Sequence, residues 1–346
     1  MDIDRRTLLV SGAAGAALLT TSTASAAPSV TRVLARNLEV PWGLTFLPNG
    51  DALVAERISG RIQRVRRTGG RRLVGRITQV AENAEEGGLL GLALSPRFRR
   101  DRWLYAYYST NSDNRIVRMK YVDGRLGAQQ VLLAGIPVSS IHNGGRLAFG
   151  PSGALFATTG DASDSGDSQV VGSLAGKILR LTPAGGVPSD NPFGNYVWTL
   201  GHRNPQGLAF DSDGRLWAAE LGQNTRDEFN RIVKGRNYGW PIVEGGDGDG
   251  PFGDPLATWT TEECSPSGVA ITKGRAWVGA LRGQALWSVR LTGPHAGRKV
   301  RYFHEQFGRI RTVQKAPDGS LWITTSNRDG RGLPTPDDDR VLRVVV

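Results

Sequence analysis

The sequence is poor in cysteine, in histidine and in long apolar stretches. Its 346 residues include one cysteine, Cys264, and four histidines. A single cysteine excludes a disulfide framework and a cysteine-rich zinc site. After the N-terminal region, no segment approaches the ~20 apolar residues with which a helix spans a bilayer. No G-x-G-x-x-G motif follows a predicted strand, so a dinucleotide-binding fold is not expected.

Basic residues are in excess but dispersed. The 43 Lys and Arg residues outnumber the 32 Asp and Glu residues, which gives a formal net charge of +11. Nucleic-acid binding is not predicted, because only one short basic cluster occurs, at positions 64–72 around a Gly-Gly turn. We interpret that cluster as a solvated hairpin.

Residues 1–26 have the features of an export signal. Arg5 and Arg6 precede small and apolar residues as far as Leu19, and Ala24-Ser25-Ala26 resembles a cleavage site. The arginine pair predicts the twin-arginine route and therefore a protein outside the cytoplasm. A transmembrane anchor is the alternative, but the stretch is short and rich in Gly, Ser and Thr.

Glycine and tryptophan are abundant, with 46 and 9 residues, and the chain contains six related segments. They begin at residues 43, 91, 146, 207, 268 and 311. Each reads as a short alternating strand, a turn and a second strand, and their irregular spacing is typical of propeller blades with loop insertions. The sequence therefore predicts an all-β, six-bladed propeller of four-stranded antiparallel blades, as a single domain over residues 27–346. The strand-like segments 30–34 and 340–346 are expected to pair and close the ring.

Chemically useful side chains flank these repeats. His142 and Glu86 precede repeats, and Asp161 follows the second strand of the third repeat. Equivalent ends of successive blades converge on one face of a propeller, so these groups are expected to share a pocket. Taken alone, His142 could equally be a turn residue beside a Gly-Gly bend.

Seven motifs in order resemble the glucose/sorbosone dehydrogenase family of soluble pyrroloquinoline quinone (PQQ) sugar dehydrogenases. The motifs run through nearly all of the chain after residue 40: PWGL at 41–44, EGGLLG at 86–91, HNGGRL at 142–147, GD at 160–161, LAGKILRL at 174–181, GHRNPQG at 201–207 and NYGWP at 237–241. Each motif is weak by itself, whereas the ordered set is highly specific.

The resemblance implies PQQ over the central channel and oxidation of the anomeric hydroxyl of an aldose to a lactone, with hydride transfer to C5 of PQQ. It makes His142 the general base, Asp161 its orienting partner, and Arg203 a contact of the quinone oxygens with Asn204 beside it. His202 carries no role from the family, and we interpret it as a packing or hydrogen-bonding residue.

The cofactor carries three carboxylates, so its site needs cations. Arg282 stands where the family commonly has lysine, and Arg309 and Arg311 are spaced to share one face of a strand. Glu86 replaces the glutamine of the glucose-oxidising members, so its carboxylate is expected to be protonated, paired or turned away from the cofactor. Gln169 is expected to line the same pocket.

The resemblance also implies Ca²⁺. The backbone carbonyls of Gly222 and Gln223 match the loop that holds a Ca²⁺ against PQQ, although Gln223 replaces a proline. Glu228 and Tyr238 match a second, structural Ca²⁺ position.

Two other functions remain open from the sequence: a Ca²⁺-dependent lactonase and a cofactor-free, glycan-binding propeller. The lactonase would need converging carboxylate and amide ligands, and neither function gives His142 and Arg203 a role. We expect a monomer that passes electrons to an external acceptor.

Overall fold

A computed structural model describes residues 27–81 and 85–346, so the predicted export signal lies outside the described residues. In these two segments the strands form six four-stranded antiparallel sheets. The first strand of each sheet contacts the first strands of its two neighbours, so the sheets form a closed ring of blades. The predicted six-bladed propeller is confirmed.

The strands are numbered along the chain, and each blade begins at the channel. Blades 1 to 3 comprise β2 (Pro41–Phe46), β3 (Ala52–Glu56), β4 (Arg61–Val65), β5 (Arg71–Arg76); β6 (Leu89–Leu94), β7 (Trp103–Ser109), β8 (Asn114–Val122), β9 (Arg125–Ile136); and β10 (Leu147–Phe149), β11 (Leu155–Thr158), β12 (Lys177–Leu181), β13 (Val197–Leu200). Strands β4 and β5 form the hairpin that was predicted for the basic cluster.

Blades 4 to 6 comprise β14 (Pro205–Phe210), β15 (Leu216–Glu220), β16 (Asp227–Ile232), β17 (Ala257–Trp259); β18 (Pro266–Thr272), β19 (Arg275–Ala280), β20 (Ala285–Arg290), β21 (Lys299–Tyr302); and β22 (Ile310–Lys315), β23 (Leu321–Thr325), β24 (Val341–Val345), β1 (Ser29–Ala35). The described helices are one α-helical turn, α1 (Phe98–Asp101), and one 3-10 turn, Ser165–Gln169. Within residues 27–81 and 85–346 there is no helix with the length and hydrophobicity that crossing a membrane requires.

The two ends of the described chain complete blade 6. Strand β1 pairs antiparallel with β24, with Ser29 opposite Val345 and Ala35 opposite Val341. This confirms the predicted pairing of the terminal strands, and it leaves the ring without a break between the first and last blades.

The glycine that opens several repeats allows adjacent inner strands to approach closely. A side chain at Gly43 in β2 would overlap the backbone of Leu90 in β6, and one at Gly207 in β14 would overlap the Ser267 carbonyl in β18. The repeat therefore needs glycine because the channel wall is packed backbone against backbone.

The turns between the first and second strands are built alike in several blades. In blade 1 the N–H of Leu47 donates to the carbonyl of Asp51, and Gly50 has a φ of +86°. The turns of blades 3, 4 and 6 repeat this pattern, with glycine φ values of +83°, +77° and +82°. Glycine adopts this left-handed conformation without strain, which explains the turn motif of the sequence.

The apolar core lies between blades. The described residues contain six buried apolar clusters, and each is centred on one pair of neighbouring blades. Trp42, Trp259 and Trp322 are among the largest buried side chains. Cys264 is fully buried and packs as a small apolar residue in the cluster between blades 4 and 5.

Candidate active site

The two ends of the channel differ because all six inner strands run in the same direction. The site mouth is the end at which the inner strands begin, together with the loops that join second to third strands. The opposite mouth is the end with the hairpin turns. A cavity of about 350 Å³ at the site mouth is lined by polar side chains, including Gln206, Arg309 and Arg311. A cavity of about 600 Å³ at the opposite mouth is lined by apolar side chains such as Leu44, Leu92 and Phe210, with a polar rim.

His142 and Asp161 form a hydrogen-bonded pair at the site mouth. Nδ1 of His142 lies 2.8 Å from Oδ1 of Asp161, and the Asp161 side chain is only 2% exposed. The pair fixes Nδ1 as the protonated nitrogen, since the carboxylate is an acceptor. No hydrogen bond from the described residues reaches Nε2, so this nitrogen is left as the free basic atom.

Asp161 is held as a carboxylate. Burial alone would raise the pKa of Asp161, but its hydrogen bonds to His142, to the Ser163 N–H and to Trp240 hold that pKa below the ordinary value. The indole Nε1 of Trp240 donates to Oδ2 at 2.9 Å. The carboxylate is therefore ready to stabilise a cation on the imidazole.

The backbone around His142 is strained and tightly supported. His142 has a φ of +58°, a conformation that residues other than glycine seldom adopt. A side chain at Gly160 would overlap the His142 carbonyl, and Asn204 accepts a hydrogen bond from the Gly144 N–H at 3.1 Å. The His142 N–H donates to Oε2 of Glu86 at 3.1 Å. These contacts fix the backbone from which the imidazole projects, and the surrounding structure thus supports the unusual conformation of His142.

Arg203 lies beside this pair. Its Nη1 donates to the Leu221 carbonyl at 3.2 Å, and its guanidinium lies 5.5 Å from the Trp240 ring centroid. Its Nε is buried and has no hydrogen-bond partner among the described residues. The N–H of Asp161 donates to the Arg203 carbonyl at 2.7 Å, which ties the two loops together.

His202 takes the structural role that was expected of it. It is fully buried, and its two ring nitrogens contact Glu220 at 2.8 Å and Thr199 at 2.9 Å. The same Glu220 carboxylate accepts the Arg203 N–H. His202 thus anchors the segment that presents Arg203 and Asn204 without facing a cavity.

The 350 Å³ cavity is cationic. Five arginines line it, against three carboxylates: Arg57, Arg282, Arg309, Arg311 and Arg331 with Glu85, Glu86 and Asp329. Oδ2 of Asp329 accepts from Nε of Arg309 at 3.0 Å and from Nη2 of Arg311 at 2.9 Å. Burial lowers the pKa of Arg311 to about 10, which leaves it charged at neutral pH. The predicted Arg309 and Arg311 pair therefore lies at one cavity, as expected.

Glu86 is paired. Its Oε1 accepts from Arg331, and its Oε2 accepts from the His142 N–H. Burial would raise the pKa of Glu86, but Arg331 and the His142 N–H hold it below its ordinary value. Of the three fates expected for this carboxylate, pairing is the one observed. Glu86 also joins the cationic cavity to the His142 pair.

Two predicted cofactor residues lie differently from expectation. The side-chain amide of Gln169 hydrogen-bonds to Asn237 and to the Trp240 carbonyl, at 2.6 to 3.2 Å. Gln169 therefore supports the Trp240 loop and is not among the residues that line the cavity. Arg282 does line the cavity, but its side chain is 58% exposed and pairs with Glu262.

The loop with the predicted Ca²⁺ ligands is held by one carboxylate oxygen. Oε1 of Glu244 accepts from four successive N–H groups, those of residues 223–226, at 2.7 to 3.1 Å. The Gly222 N–H donates to Asp227 at 2.9 Å. With its N–H groups turned toward these carboxylates, the loop leaves the carbonyls of Gly222 and Gln223 without a donor among the described residues.

Glu228 and Tyr238 border a small cavity of about 10 Å³, together with Glu220 and Arg203. Glu228 accepts from Asn230 and from the Gly245 N–H. The Tyr238 hydroxyl donates to the Arg231 carbonyl, so only its backbone oxygen is free for a metal. In the part of the chain that the structure describes, no three His, Cys, Asp or Glu side chains are grouped as a metal centre, so the ligand set of a lactonase is not found there.

Four residues of this site were not predicted from the sequence, namely Arg57, Trp240, Asp329 and Arg331. Arg57 follows the second strand of the first repeat, the position that Asp161 occupies in the third, so the rule that identified Asp161 would also have identified Arg57. Asp329 and Arg331 lie in the corresponding loop of blade 6. Trp240 comes from an insertion between β16 and β17, and no repeat position marks it.

Comparisons with known proteins identify the family of the chain. A profile of the Glucose / Sorbosone dehydrogenase family matches residues 38–334. The PQQ-bound aldose sugar dehydrogenase of Streptomyces coelicolor is 47% identical, with a TM-score of 0.89 over 92% of this chain and 97% of that one. The aldose sugar dehydrogenase of Escherichia coli (strain K12) is 29% identical over 89% of this chain and 93% of its own. Quinoprotein glucose dehydrogenase B of Acinetobacter calcoaceticus is 32% identical over 70% of this chain and 59% of its own.

The chain belongs to the glucose/sorbosone dehydrogenase family. It is therefore an oxidoreductase of the quinoprotein sugar dehydrogenase type, and the resemblance drawn from its motifs is confirmed.

Proposed function

We propose that the protein oxidises the anomeric hydroxyl of aldose sugars to lactones with PQQ as cofactor. The observation that carries this proposal is the His142–Asp161 pair, which Glu86 of the cationic cavity joins to that cavity by accepting the His142 N–H. The aldose sugar dehydrogenases among its relatives support the substrate class.

The side chains at the site mouth fit a tricarboxylate. Arg309 and Arg311 are buried, share a single aspartate and line the cavity. Arg331 and Arg282 line the same cavity, whereas Arg203 is the proposed contact of the quinone oxygens. Arginine forks match carboxylate geometry, so these residues would hold PQQ through its acid groups.

The proposed chemistry divides between the cofactor and the chain. Bound PQQ would supply the hydride acceptor, and a bound Ca²⁺ would polarise its carbonyl. Nε2 of His142 takes the proton from the sugar hydroxyl, because Nδ1 is held by Asp161. Asp161 then stabilises the imidazolium, and the fixed charge of Arg203 favours negative charge that develops nearby.

We further propose that Ca²⁺ is bound by the carbonyl oxygens of Gly222 and Gln223, which are the hard ligands that this ion prefers. Glu244 holds the loop in the required shape through its four N–H bonds. A second, structural Ca²⁺ would use the Glu228 carboxylate and the Tyr238 carbonyl.

Export by the twin-arginine route, an external electron acceptor and a monomeric state complete the proposal. The export route rests on residues 1–26. An external electron acceptor is needed because electrons must leave the reduced cofactor. Cleavage after residue 26 and chromatographic mass are the direct tests.

Reconstitution tests the function. PQQ is titrated into purified protein with Ca²⁺, and reduction of an artificial dye is followed on a panel of aldoses. Saturable, Ca²⁺-dependent dye reduction is expected. Absence of PQQ binding would overturn the proposal, whereas binding without turnover on any aldose would contradict the substrate class alone.

A further inference from the structure

Among the arginines that line the 350 Å³ cavity, Arg57 alone is buried and has no hydrogen-bond or ion-pair partner in the described residues. It is 4% exposed, whereas Arg282 and Arg331 are largely exposed. Its guanidinium makes no hydrogen bond and no ion pair within residues 27–81 and 85–346, and its Nε is completely buried. Burying a charged group without a partner is costly, so such a group needs an explanation.

The carboxylates of the cavity are already committed elsewhere. Asp329 accepts from Arg309, from Arg311 and from the Ser326 hydroxyl. Glu86 accepts from Arg331 and from the His142 N–H. These two groups contribute attraction to Arg57 over a distance, but neither one makes contact with it.

The position of Arg57 is fixed by its backbone. Its N–H donates to the Val40 carbonyl at 3.1 Å, and its carbonyl accepts from the Leu89 N–H at 2.9 Å. These bonds tie it to the starts of the inner strands β2 and β6. The stem packs on Gly88, where an added side chain would come within 2.9 Å of the Arg57 Cγ. The guanidinium N–H groups of Arg57 are therefore held at the cavity and donate to no other group in the described residues. This is the arrangement of a preorganised anion site.

We propose that Arg57 is a cofactor-binding residue that takes one carboxylate of PQQ. The proposal rests on the proposed function, and it assigns to blade 1 a contact that the motif resemblance did not contain. Arg309 and Arg311 share one aspartate, so Arg57 adds positive charge to a cavity in which arginines already outnumber carboxylates.

Binding and stability separate this role from a purely structural one. Arg57→Met keeps the length of the stem and removes the charge, and Arg57→Lys keeps the charge without the fork. We expect Arg57→Met to weaken PQQ binding about tenfold or more, because a hydrogen bond to a charged group is worth ~1.5–3 kcal/mol. Arg57→Lys should bind with intermediate affinity. Arg99→Met, at an exposed arginine near the opposite mouth, controls for lost net charge.

The melting temperature of the PQQ-free protein gives a second readout. Because Arg57 is buried without a partner in the described residues, Arg57→Met should melt at the wild-type temperature or above it. Addition of PQQ should raise the melting temperature of this variant less than it raises that of the wild type. If the role of Arg57 were purely structural, Arg57→Met would instead lower the melting temperature of the PQQ-free protein. The assignment would be overturned if Arg57→Met bound PQQ with unchanged affinity. It would also be overturned if both Arg57 variants had a lower melting temperature while their folded fractions bound PQQ as the wild type does. Failure of the wild type to bind PQQ would overturn the proposed function itself.

Discussion

The two mouths of the channel are made by the same six repeats, yet they differ in chemistry. At the opposite mouth the hairpin turns of blades 1, 3, 4 and 6 are built alike. The carboxylate of Asp211 in one of them accepts from Arg215, from Trp217 and from two backbone N–H groups. At the site mouth the loops differ in every blade, and Arg57 and Arg203 carry buried nitrogens that have no hydrogen-bond partner in the part of the chain that the structure describes. The difference shows that the repeated part of the sequence builds the scaffold. The departures from the repeat build the site.

The floor of the site separates the two regions. Arg146 reaches across the channel from blade 3, where its Nε donates to the Gln206 carbonyl at 2.8 Å and its guanidinium stacks on Trp42 at 4.0 Å. Burial lowers its pKa to about 9. Substitutions at one mouth of the channel should therefore leave the other mouth undisturbed.

The largest effect is expected at His142. His142→Ala removes the free Nε2 base and should lower turnover by about 10²- to 10⁴-fold, while PQQ binding is largely kept. Rates with saturating aldose and a PQQ titration measure the two quantities. His304→Ala, at an exposed histidine, is the control. Lost PQQ binding with unchanged turnover per bound cofactor would make His142 structural.

A smaller loss is expected at the loop with the proposed Ca²⁺ ligands. Glu244→Gln replaces the charged acceptor of four N–H bonds by a neutral one, so the loop should hold its shape less well. We expect the Ca²⁺ concentration for half-maximal activity to rise by about tenfold. Asp254→Asn is a matched control, because Asp254 accepts two N–H bonds in the same insertion. Equal Ca²⁺ requirements in both variants would show that Glu244 does not shape the site.

Trp240→Phe should have a modest effect. Phenylalanine keeps the ring but removes the N–H that donates to Asp161, which holds the pKa of this carboxyl down. We expect kcat to fall by about tenfold, with KM for the sugar little changed, because a single charged hydrogen bond is lost. Trp103→Phe on blade 2 serves for comparison. An unaltered kcat would indicate that His142 alone holds Asp161 in place.

No effect on activity is expected from Asp211→Asn at the opposite mouth, although stability should fall by about 1–3 kcal/mol. The pKa of Asp211 is lowered: burial raises it, but Trp217 and Arg215 outweigh burial. Its contribution is therefore present above the unfolded pKa of ~3.9 and is lost as the pH falls through the folded value. Unfolding curves between pH 7 and pH 3 should show a weaker acid dependence in the variant. A change in PQQ affinity would contradict the separation of the two mouths.

Most of the fold could be predicted because each repeat marks the inner strand and the hairpin of one blade. The opening glycines mark the close approach of inner strands, and the turn glycines mark the hairpins. Bounds of the outer strands could not be predicted in this way, because their sequences face solvent or neighbouring blades without a shared pattern.

The site could be predicted only in part. Arg309 immediately precedes β22 and Arg311 lies near its start, so their i, i+2 spacing places both side chains at one cavity. Trp240 reaches Asp161 from an insertion 79 positions away, and no local pattern encodes that contact. Gln169 hydrogen-bonds to Asn237, 68 residues along the chain, and no local pattern indicates that contact either.

The pairing of β1 with β24 has a consequence for how the chain reaches its native state. Thr31 and Arg343 are joined across a separation of 312 residues, so the sixth blade lacks its outer strand until both ends of the chain meet. Contacts this distant carry a high loop-closure cost and slow the search for the native topology. Blades 1 to 5 are each continuous in sequence and can form as local units, whereas the last blade forms only when synthesis has delivered β24.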